Sequence, residues 1–382
     1  MPPPAQPGAQ DNRSDVLILG GGLMGAATAF FLRRRGLSVI LLERGMVGAQ
    51  ASGVNFGNVR RQGRFLPQLP LANRARDIWG RLPELLGEDA EFLPSGHLRV
   101  AYTPEAVASM ESYRDGARPY GLDLELLSGN AVRARFPWLS TEVIAGSYSP
   151  LDGHANPRLA APAFGRAARR AGARIEEGAE VLNIEHEASG FRLDTADGRV
   201  WRAPVLQVSA GAWGGRIAAR LGEPVPMVVR GPQMGVTEAV PYALLPVLGV
   251  TTREIREVLY LRQVKRGNIV FGGTGHGPAE LDAPPFRADP AITLHQFTQL
   301  QRMVPALGAL RIIRTWSGIE GYMRDDIPVM GPSAKWPGLF YAFGFCGAGF
   351  QVGPGVGDVM AELIATGTTT TPIEPFHIGR FA

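Results

Sequence analysis

Three glycines near the start of the chain have the spacing that lets backbone amides approach a phosphate. Gly20, Gly22 and Gly25 form a Gly-x-Gly-x-x-Gly pattern, and Glu43 follows 18 residues after the last of them. The first glycine permits a tight turn, the second lets the backbone approach a pyrophosphate, and the third lets a helix pack closely on a strand. An acid at such a distance typically hydrogen-bonds a ribose diol. The chemistry indicated is dinucleotide binding, and the motif alone does not choose between NAD and FAD.

The elements around these glycines are those that a phosphate-binding turn requires. Residues 15–19 (Asp-Val-Leu-Ile-Leu) are a continuous apolar stretch after their first residue, which predicts a parallel strand buried on both faces. Residues 26–35 suit a helix that Gly36 can end, and residues 38–42 predict a second strand leading to Glu43. The phosphates would then lie at the helix N-terminus, where free amides and the helix dipole favour an anion.

Composition excludes several classes of protein. The chain has 382 residues, 45% of them hydrophobic and 19% charged, which predicts a globular protein of two folding units. The net charge of +4 comes from scattered arginines, so no nucleic-acid partner is expected. No apolar run is long enough to span a membrane, and residues 1–13 are expected to form a loose tail. The single cysteine, Cys346, excludes an intrachain disulfide and favours a reducing compartment such as the cytoplasm. The histidines lack the spacing of metal ligands, so no metal site is predicted.

Further motifs carry a resemblance to a known family. They occupy residues 51–57 (Ala-Ser-Gly-Val-Asn-Phe-Gly), 152–157, 210–213 (Ala-Gly-Ala-Trp), 325–331 and 344–350. In this order and spacing the chain resembles the FAD-dependent D-amino acid oxidase superfamily, over nearly its whole length after the tail. That superfamily includes glycine oxidase, sarcosine oxidase and the flavin subunits of opine and hydroxyproline dehydrogenases.

The resemblance implies a mixed α/β fold with two domains. One is a Rossmann-like FAD-binding domain of the glutathione-reductase type, and the other is a substrate domain built on an antiparallel sheet. The FAD-binding domain would be discontinuous, with residues 14–90, 147–224 and 315–382. Residues 91–146 and 225–314 would form the substrate domain. A small, amino-acid-like substrate would bind between this sheet and the flavin ring, since ligands commonly occupy clefts between domains.

FAD is expected to be bound noncovalently, because the positions at which some relatives attach it hold neither the cysteine nor the histidine used there. The glycine-rich stretch 344–357 is expected to approach the flavin ring and to be followed by a helix over 356–365. The cofactor-binding residues expected from the motif and the resemblance are Gly20, Gly22, Leu23, Met24, Gly25, Glu43, Arg44, Ala51, Ser52, Gly53, Asn55, Gly57, Val181, Ala210, Gly211, Trp213, Gly347, Gly349, Phe350 and Gln351.

The resemblance also implies a reaction, in which a hydride passes from the carbon of a C–N bond to flavin N5 and leaves an imine. Several relatives bind the substrate carboxylate with an arginine in a Trp-Ala-Gly-Leu-Arg-Pro stretch. This chain has Glu320 at that place, in the segment 316–321. A glutamate repels a carboxylate and attracts a cation, so Glu320 would face a basic group of the substrate or would pair internally with Arg324.

Other side chains would then have to bind the substrate. Arg61 and Arg262 are the predicted carboxylate binders, with an ordinary ion pair as the alternative for each. Tyr260 and Tyr322 could supply hydroxyl groups, with a half-buried core position as their alternative. The predicted substrate site is therefore Arg61, Tyr260, Arg262, Glu320 and Tyr322.

The electron acceptor is predicted from what the chain lacks. The lysine linked to oxygen activation in sarcosine oxidases aligns with Val270, and Gln351 stands where relatives have a substrate-binding lysine. These departures favour a dehydrogenase. The overall likeness to flavin subunits of opine and hydroxyproline dehydrogenase complexes implies redox partner subunits or a respiratory acceptor, with peripheral attachment to the inner membrane through a partner left open. The alternatives are an oxidase that makes H2O2, an FAD-carrying assembly subunit inactive alone, and an NAD-linked enzyme.

Overall fold

The computed structural model describes residues 12–244, 246–283 and 287–382. Within these ranges it contains helices of very different length, several of which begin at a proline in the first turn, where the missing N–H has no helical partner to lose. The α-helices are α1 (Leu23–Arg34), α2 (Ala51–Val54), α3 (Leu69–Gly80), α4 (Leu82–Leu86), α5 (Pro104–Ala117), α6 (Gly129–Arg135), α7 (Pro157–Arg170), α8 (Gly214–Arg220), α9 (Pro290–Met303) and α10 (Gly349–Thr366).

The strands of the described residues form four sheets. They are β1 (Val16–Leu19), β2 (Val39–Glu43), β3 (Asn58–Val59), β4 (His97–Ala101), β5 (Glu125–Ser128), β6 (Ala145–Ser149), β7 (Gly153–His154), β8 (Arg174–Glu177), β9 (Val181–Glu187), β10 (Gly190–Thr195), β11 (Val200–Ala203), β12 (Val205–Val208), β13 (Met227–Ala239), β14 (Val247–Val250), β15 (Leu259–Gln263), β16 (Asn268–Gly277), β17 (Ile312–Ser317), β18 (Glu320–Met323), β19 (Val329–Pro332) and β20 (Leu339–Phe343).

A six-stranded sheet in the order β19-β20-β12-β1-β2-β8 forms the centre of the first half of the fold. All its neighbouring strands are parallel except the β19–β20 pair. Alternate residues of β1 point to opposite faces. Val16 and Ile18 pack in one core cluster with residues of α1 and α7, and Leu17 and Leu19 pack in another with residues of the antiparallel β9–β10–β11 sheet. Coverage on both faces explains why the whole strand is apolar.

The second half of the fold is a large sheet in the order β17-β13-β16-β15-β14-β4-β6-β5, with β18 paired to β13. Its pairings are antiparallel except the parallel pair β14–β4. Helix α9 packs on this sheet through a core cluster that includes Leu300, Phe271 and Leu261. A Rossmann-like parallel sheet next to a mainly antiparallel sheet is the predicted fold class, which is thus confirmed. Among the described residues, no helix has the length and apolarity that crossing a membrane would need.

The division into domains remains a prediction, and some strands cross its boundaries. Strand β6 lies wholly in the large sheet, although the predicted boundary between residues 146 and 147 falls within it. Strands β17 and β18 also pair in that sheet through β13, although residues 315–382 are predicted for the cofactor domain. The long strand β13 bonds to both, so the last return to the first half of the fold comes after residue 323.

Two local expectations are wrong. The predicted tail extends to residue 13, but Asn12 and Arg13 pair with Arg202, and the rest of that expectation, for residues 1–11, lies outside the described residues. The helix predicted over 356–365 begins at Gly349. The glycines of its first half serve helix packing: a Cβ at Gly353 would overlap Leu23, and one at Gly357 would overlap Ala27.

Candidate active site

The turn between β1 and α1 has the geometry that its glycines predict. Gly20 has a φ of 106°, which strongly favours glycine, and an added Cβ would meet the carbonyl of Ser209. A Cβ at Gly25 would overlap the carbonyl oxygen of Gly20, so only glycine lets α1 start this close to β1. The free backbone N–H groups in the first turn of α1 therefore lie directly beyond the end of β1.

Two side chains fix this turn from neighbouring segments. The Ser52 Oγ, at the start of α2, accepts a hydrogen bond of 2.8 Å from the amide of Leu23. The Glu43 carboxylate at the end of β2 accepts bonds of 2.7 Å from the amides of Gly21 and Gly45. The predicted acid is thus held next to the phosphate turn, where a ribose would lie.

A cavity of about 600 Å³ opens along the carboxyl ends of the parallel strands and continues beneath the large sheet. Such a volume is in the range of sites for drug-sized ligands and cofactors. Most predicted cofactor-binding residues line it: Gly20, Gly22, Leu23, Met24, Glu43, Arg44, Ala51, Ser52, Asn55, Gly57, Val181, Ala210, Gly211, Trp213, Gly347, Gly349 and Phe350.

Three predicted cofactor-binding residues do not line the cavity and have structural contacts instead. Gly25 allows the close approach of α1 to Gly20, and a Cβ at Gly53 would overlap the carbonyl of Gly48. The buried Gln351 donates a hydrogen bond of 2.8 Å from Nε2 to the carbonyl of Ala72. The remaining set fits a dinucleotide: a glycine turn at a helix N-terminus, a carboxylate beside it, and a second glycine-rich segment at the other end.

Cys346 also lines the cavity, at the end where the flavin ring is expected. Its Sγ accepts a hydrogen bond from the amide of Met323 at 3.2 Å and donates one to the carbonyl of Gly344 at 3.1 Å. Burial raises the pKa of this thiol to about 11. A neutral thiol held by the backbone is a poor nucleophile, which agrees with a packing role.

The predicted substrate residues divide into two groups. Tyr260, Glu320 and Tyr322 line the cavity, whereas Arg61 and Arg262 do not. The buried Arg61 donates from Nε to Asp152 Oδ1 at 3.0 Å, in an ion pair. Arg262 donates from Nε to the carbonyl of Phe56 at 2.7 Å and borders a separate cavity of about 210 Å³. Both arginines are thus engaged in structural contacts.

Arg60 and Arg64, which lie on either side of Arg61 in the sequence, do line the cavity. Arg64 is 6% exposed and donates to Gln68 Oε1 and to the carbonyl of Ala348, both at 3.1 Å. Burial, followed by the charge of Arg60, lowers the pKa of Arg64 to about 9, and burial also lowers the pKa of Arg60. Among the described residues neither guanidinium has a carboxylate within ion-pair distance. These two guanidinium groups therefore line the cavity without an ionic partner among the described residues.

Glu320 brings a negative charge into the same cavity. Its Oε2 accepts a hydrogen bond of 3.2 Å from the Tyr322 hydroxyl, and burial raises the pKa of the carboxyl to about 7. Arg230 is its neighbour across the β13–β18 pair, but the Arg230 guanidinium lies 4.8 Å from the centre of the Tyr322 ring. The expected alternative of an ion pair between Glu320 and Arg324 is not found among the described contacts.

Two aromatic groups complete this end of the cavity. The Tyr260 ring packs against Phe56 with 4.6 Å between ring centres, and burial raises the pKa of its hydroxyl. The His276 ring lies 5.4 Å from that of Tyr322, and burial lowers the pKa of the imidazole. Tyrosine and histidine are therefore both neutral here at pH 7, and Glu320 is the group that titrates near it.

Sequence reasoning missed Arg60, Arg64 and His276. Arg60 and Arg61 follow β3 directly, and consecutive residues of an extended chain point to opposite sides. A pair of adjacent arginines therefore signals that one faces the site, but it does not say which. The histidine carries no motif, and only its place on β16 brings it to the cavity.

Comparison with known proteins agrees with this geometry. A family model described as FAD dependent oxidoreductase (DAO) matches residues 15–363. The chain is 30% identical to glycine oxidase of Geobacillus kaustophilus (strain HTA426), over 97% of this chain and 98% of the relative. It is 27% identical to a subunit of opine oxidase from Rhizobium meliloti, over 96% of this chain and 97% of the relative.

Solved structures show the same fold. L-proline dehydrogenase from P. horikoshii superposes with a TM-score of 0.90 at 26% identity, over 97% of this chain and 98% of that chain. Glycine oxidase from Geobacillus kaustophilus superposes with a TM-score of 0.88 at 27% identity, over 97% and 99%. Since the family match spans both sheets and the cavity between them carries the dinucleotide turn, this chain belongs to the FAD-dependent oxidoreductase (DAO) family and takes FAD as its cofactor.

Proposed function

We propose that this protein oxidises the C–N bond of an amino-acid-like zwitterion. The observation that carries the proposal is the presence, in one cavity, of buried or half-buried charges of both signs that lack ionic partners in the described chain. Arg60 and Arg64 are positive, and Glu320 is negative once it ionises. Unpaired buried charges destabilise a fold, so their retention together favours a ligand that carries both complements.

The arginines are the proposed carboxylate binders. A guanidinium presents N–H groups in a fork that matches both oxygens of a carboxylate, and such charge-assisted bonds are strong where water is excluded. Arg64 is anchored by Gln68 and Ala348 O, which leaves it little freedom to turn away from the cavity. Arg60 donates to the carbonyl of Gln62, and its charge acts on the neighbouring Arg64.

Glu320 is the proposed partner of the substrate amine. Its carboxylate attracts an ammonium, and a pKa of about 7 lets it accept the proton that an amine must lose before its neighbouring C–H bond can be oxidised. Bound FAD would supply the hydride acceptor for that carbon, and the resulting imine would be hydrolysed by water. The residues of the chain bind and orient the substrate and remove the proton from its amine.

The substrate is proposed to be an N-substituted, cyclic or D-amino acid, such as an opine, a hydroxyproline or sarcosine. The names of the relatives, which include glycine oxidase, opine oxidase and L-proline dehydrogenase, agree with a C–N bond next to a carboxylate. The relationship to a subunit of opine oxidase supports partner subunits. The likeness to L-proline dehydrogenase supports a dehydrogenase that passes electrons to such subunits or to a respiratory acceptor. The proposed location of the protein is the cytoplasm, either free or attached to the inner membrane through a partner.

A direct oxidase is the second candidate. The 30% identity to glycine oxidase over nearly the whole chain supports it, and the absence of a lysine at Val270 argues against it. The two candidates differ in whether they form peroxide. In air, an oxidase forms one H2O2 for each substrate molecule, whereas a dehydrogenase needs an added electron acceptor to turn over.

The test is anaerobic reduction of the bound flavin by a panel of amino acids. Purified protein is mixed with D-amino acids, hydroxyprolines, sarcosine and opines, and the flavin absorbance near 450 nm is followed. We expect bleaching by at least one secondary or D-amino acid. A flavin that stays oxidised with every member, while dithionite reduces it, would contradict the proposed function and would favour an assembly subunit that is inactive alone.

A further inference from the structure

A single carboxylate outside the cavity ties the large sheet to the wall of the FAD site. Asp282 lies in the loop between β16 and α9, with a φ of 71°, and its side chain is 49% exposed. Its Oδ1 accepts hydrogen bonds from Trp213 Nε1 at 3.1 Å and from Arg44 Nη1 at 3.3 Å. Arg216 donates to both carboxylate oxygens. One acidic side chain thus satisfies donors on three residues.

All three donors line the FAD cavity, whereas Asp282 does not. The Arg44 guanidinium lies 4.4 Å from the centre of the Trp213 ring, so the two form a stacked wall. Arg44 follows Glu43, which bonds the phosphate turn, so this wall borders the ribose end of the cavity. The donors belong to segments around the parallel sheet, and Asp282 belongs to the other half of the fold.

We propose that Asp282 is a latch that holds this wall in place and slows the release of FAD. A cofactor that leaves past Arg44 and Trp213 must displace them, and each displacement breaks a bond to Asp282. The same bonds hold the carboxylate ionised: hydrogen bonds from Arg216 first and from Trp213 next lower the pKa of Asp282 to about 2. The latch therefore remains charged at neutral pH.

A competing role for Asp282 predicts the opposite effect on FAD binding. Arg44 and Arg216 could attract the cofactor's phosphates directly, and Asp282 would then neutralise two useful charges. In that case its removal would tighten FAD binding. The geometry favours the latch, because the same carboxylate also bonds the uncharged Trp213 and bridges two halves of the fold.

Asp282→Asn is the primary variant, because asparagine tolerates a positive φ and keeps one oxygen for Trp213 while it removes the charge. Asp282→Gly also tolerates this φ and removes every bond. Glu125→Gln is the matched control. It removes the negative charge from the Glu125–Arg135 ion pair, which is about as exposed as the Asp282–Arg216 pair and lies at the far edge of the large sheet.

The measurement is the rate at which bound FAD dissociates after dilution of the holoprotein, followed by the rise of free flavin fluorescence. Because exposed ion pairs are individually weak, we expect about a three- to tenfold faster release for Asp282→Asn and a larger increase for Asp282→Gly. Added salt should reduce the difference from the native protein. Release from Asp282→Asn that matches Glu125→Gln, or that is slower than native, would overturn the latch.

Discussion

Replacement of Glu320 by glutamine should make the stability of the protein less dependent on pH. Burial raises the pKa of Glu320 from 4.5 to about 7 in the folded chain, so the folded state binds this proton more tightly than the unfolded state does. Stability must then fall as the pH rises from about 4.5 to 7, and the loss is complete above that range. Glutamine, which never ionises, avoids the loss.

The size of the effect follows from the shift. The rise in the pKa of Glu320 from 4.5 to about 7 corresponds to at most about 3.5 kcal/mol, since one pKa unit is worth about 1.4 kcal/mol. With an unfolding entropy of about 2.1 cal/mol/K per residue, a chain of this length would gain about 4 °C in midpoint. Glu320→Gln should therefore melt higher than the native protein at pH 8, and the difference should vanish near pH 4.5.

The assay is thermal unfolding of the apoprotein at half-unit steps from pH 4.5 to 8.5, for the native chain and Glu320→Gln. Tyr322→Phe provides an internal check, because the Tyr322 hydroxyl bonds the ionised carboxylate and lowers its pKa. Without this hydroxyl, the unfolding midpoint of Tyr322→Phe should keep falling to a higher pH than the midpoint of the native protein does. A difference in midpoint that is constant across pH, or that grows as the pH falls, would refute the reasoning.

Other side chains give further predictions. Arg60→Lys keeps the positive charge but loses the two-pronged guanidinium that binds both carboxylate oxygens. In steady-state kinetics, kcat/KM for the amino acid should therefore fall about tenfold or more, mainly because KM rises. An unchanged KM would show that Arg60 does not bind the carboxylate. Gly25→Val would force α1 away from the carbonyl of Gly20, so the purified variant should lack flavin absorbance; a yellow, folded variant would contradict the turn. Acid precipitation should release all FAD into the supernatant, since the Cys346 thiol is neutral, and flavin that stays in the pellet would show a covalent link.

The sequence predicts best those parts of the site that are contiguous in the chain. The turn from Gly20 to Gly25 contains every requirement of its geometry within a few residues, and Glu43 follows at a short distance. The structure adds only the partners, such as the Ser52 hydroxyl on the amide of Leu23.

Parts of the site that depend on direction or distant pairing could not be predicted in this way. The choice between Arg60 and Arg61 depends on which side of the chain after β3 faces Asp152, a residue far along the sequence. The glycines of α10 look the same in sequence whether they approach a ring or a helix, and here Gly353 and Gly357 meet α1. Asp282 gives no local signal, because its partners lie in two segments far from it in the sequence, Arg44 after β2 and the pair Trp213 and Arg216 at the start of α8.

In the proposed zwitterion site, Arg60 and Arg64 bind the carboxylate of the substrate and Glu320 binds its amine, within one cavity. The most direct test of this site compares anaerobic flavin reduction by the best amino acid of the panel with reduction by that compound's methyl ester and by its decarboxylated amine. We expect fast bleaching by the zwitterion alone, with both analogues slower by about tenfold or more because the arginines stay unpaired. An ester or amine that bleaches the flavin as fast as the amino acid would contradict the proposed site.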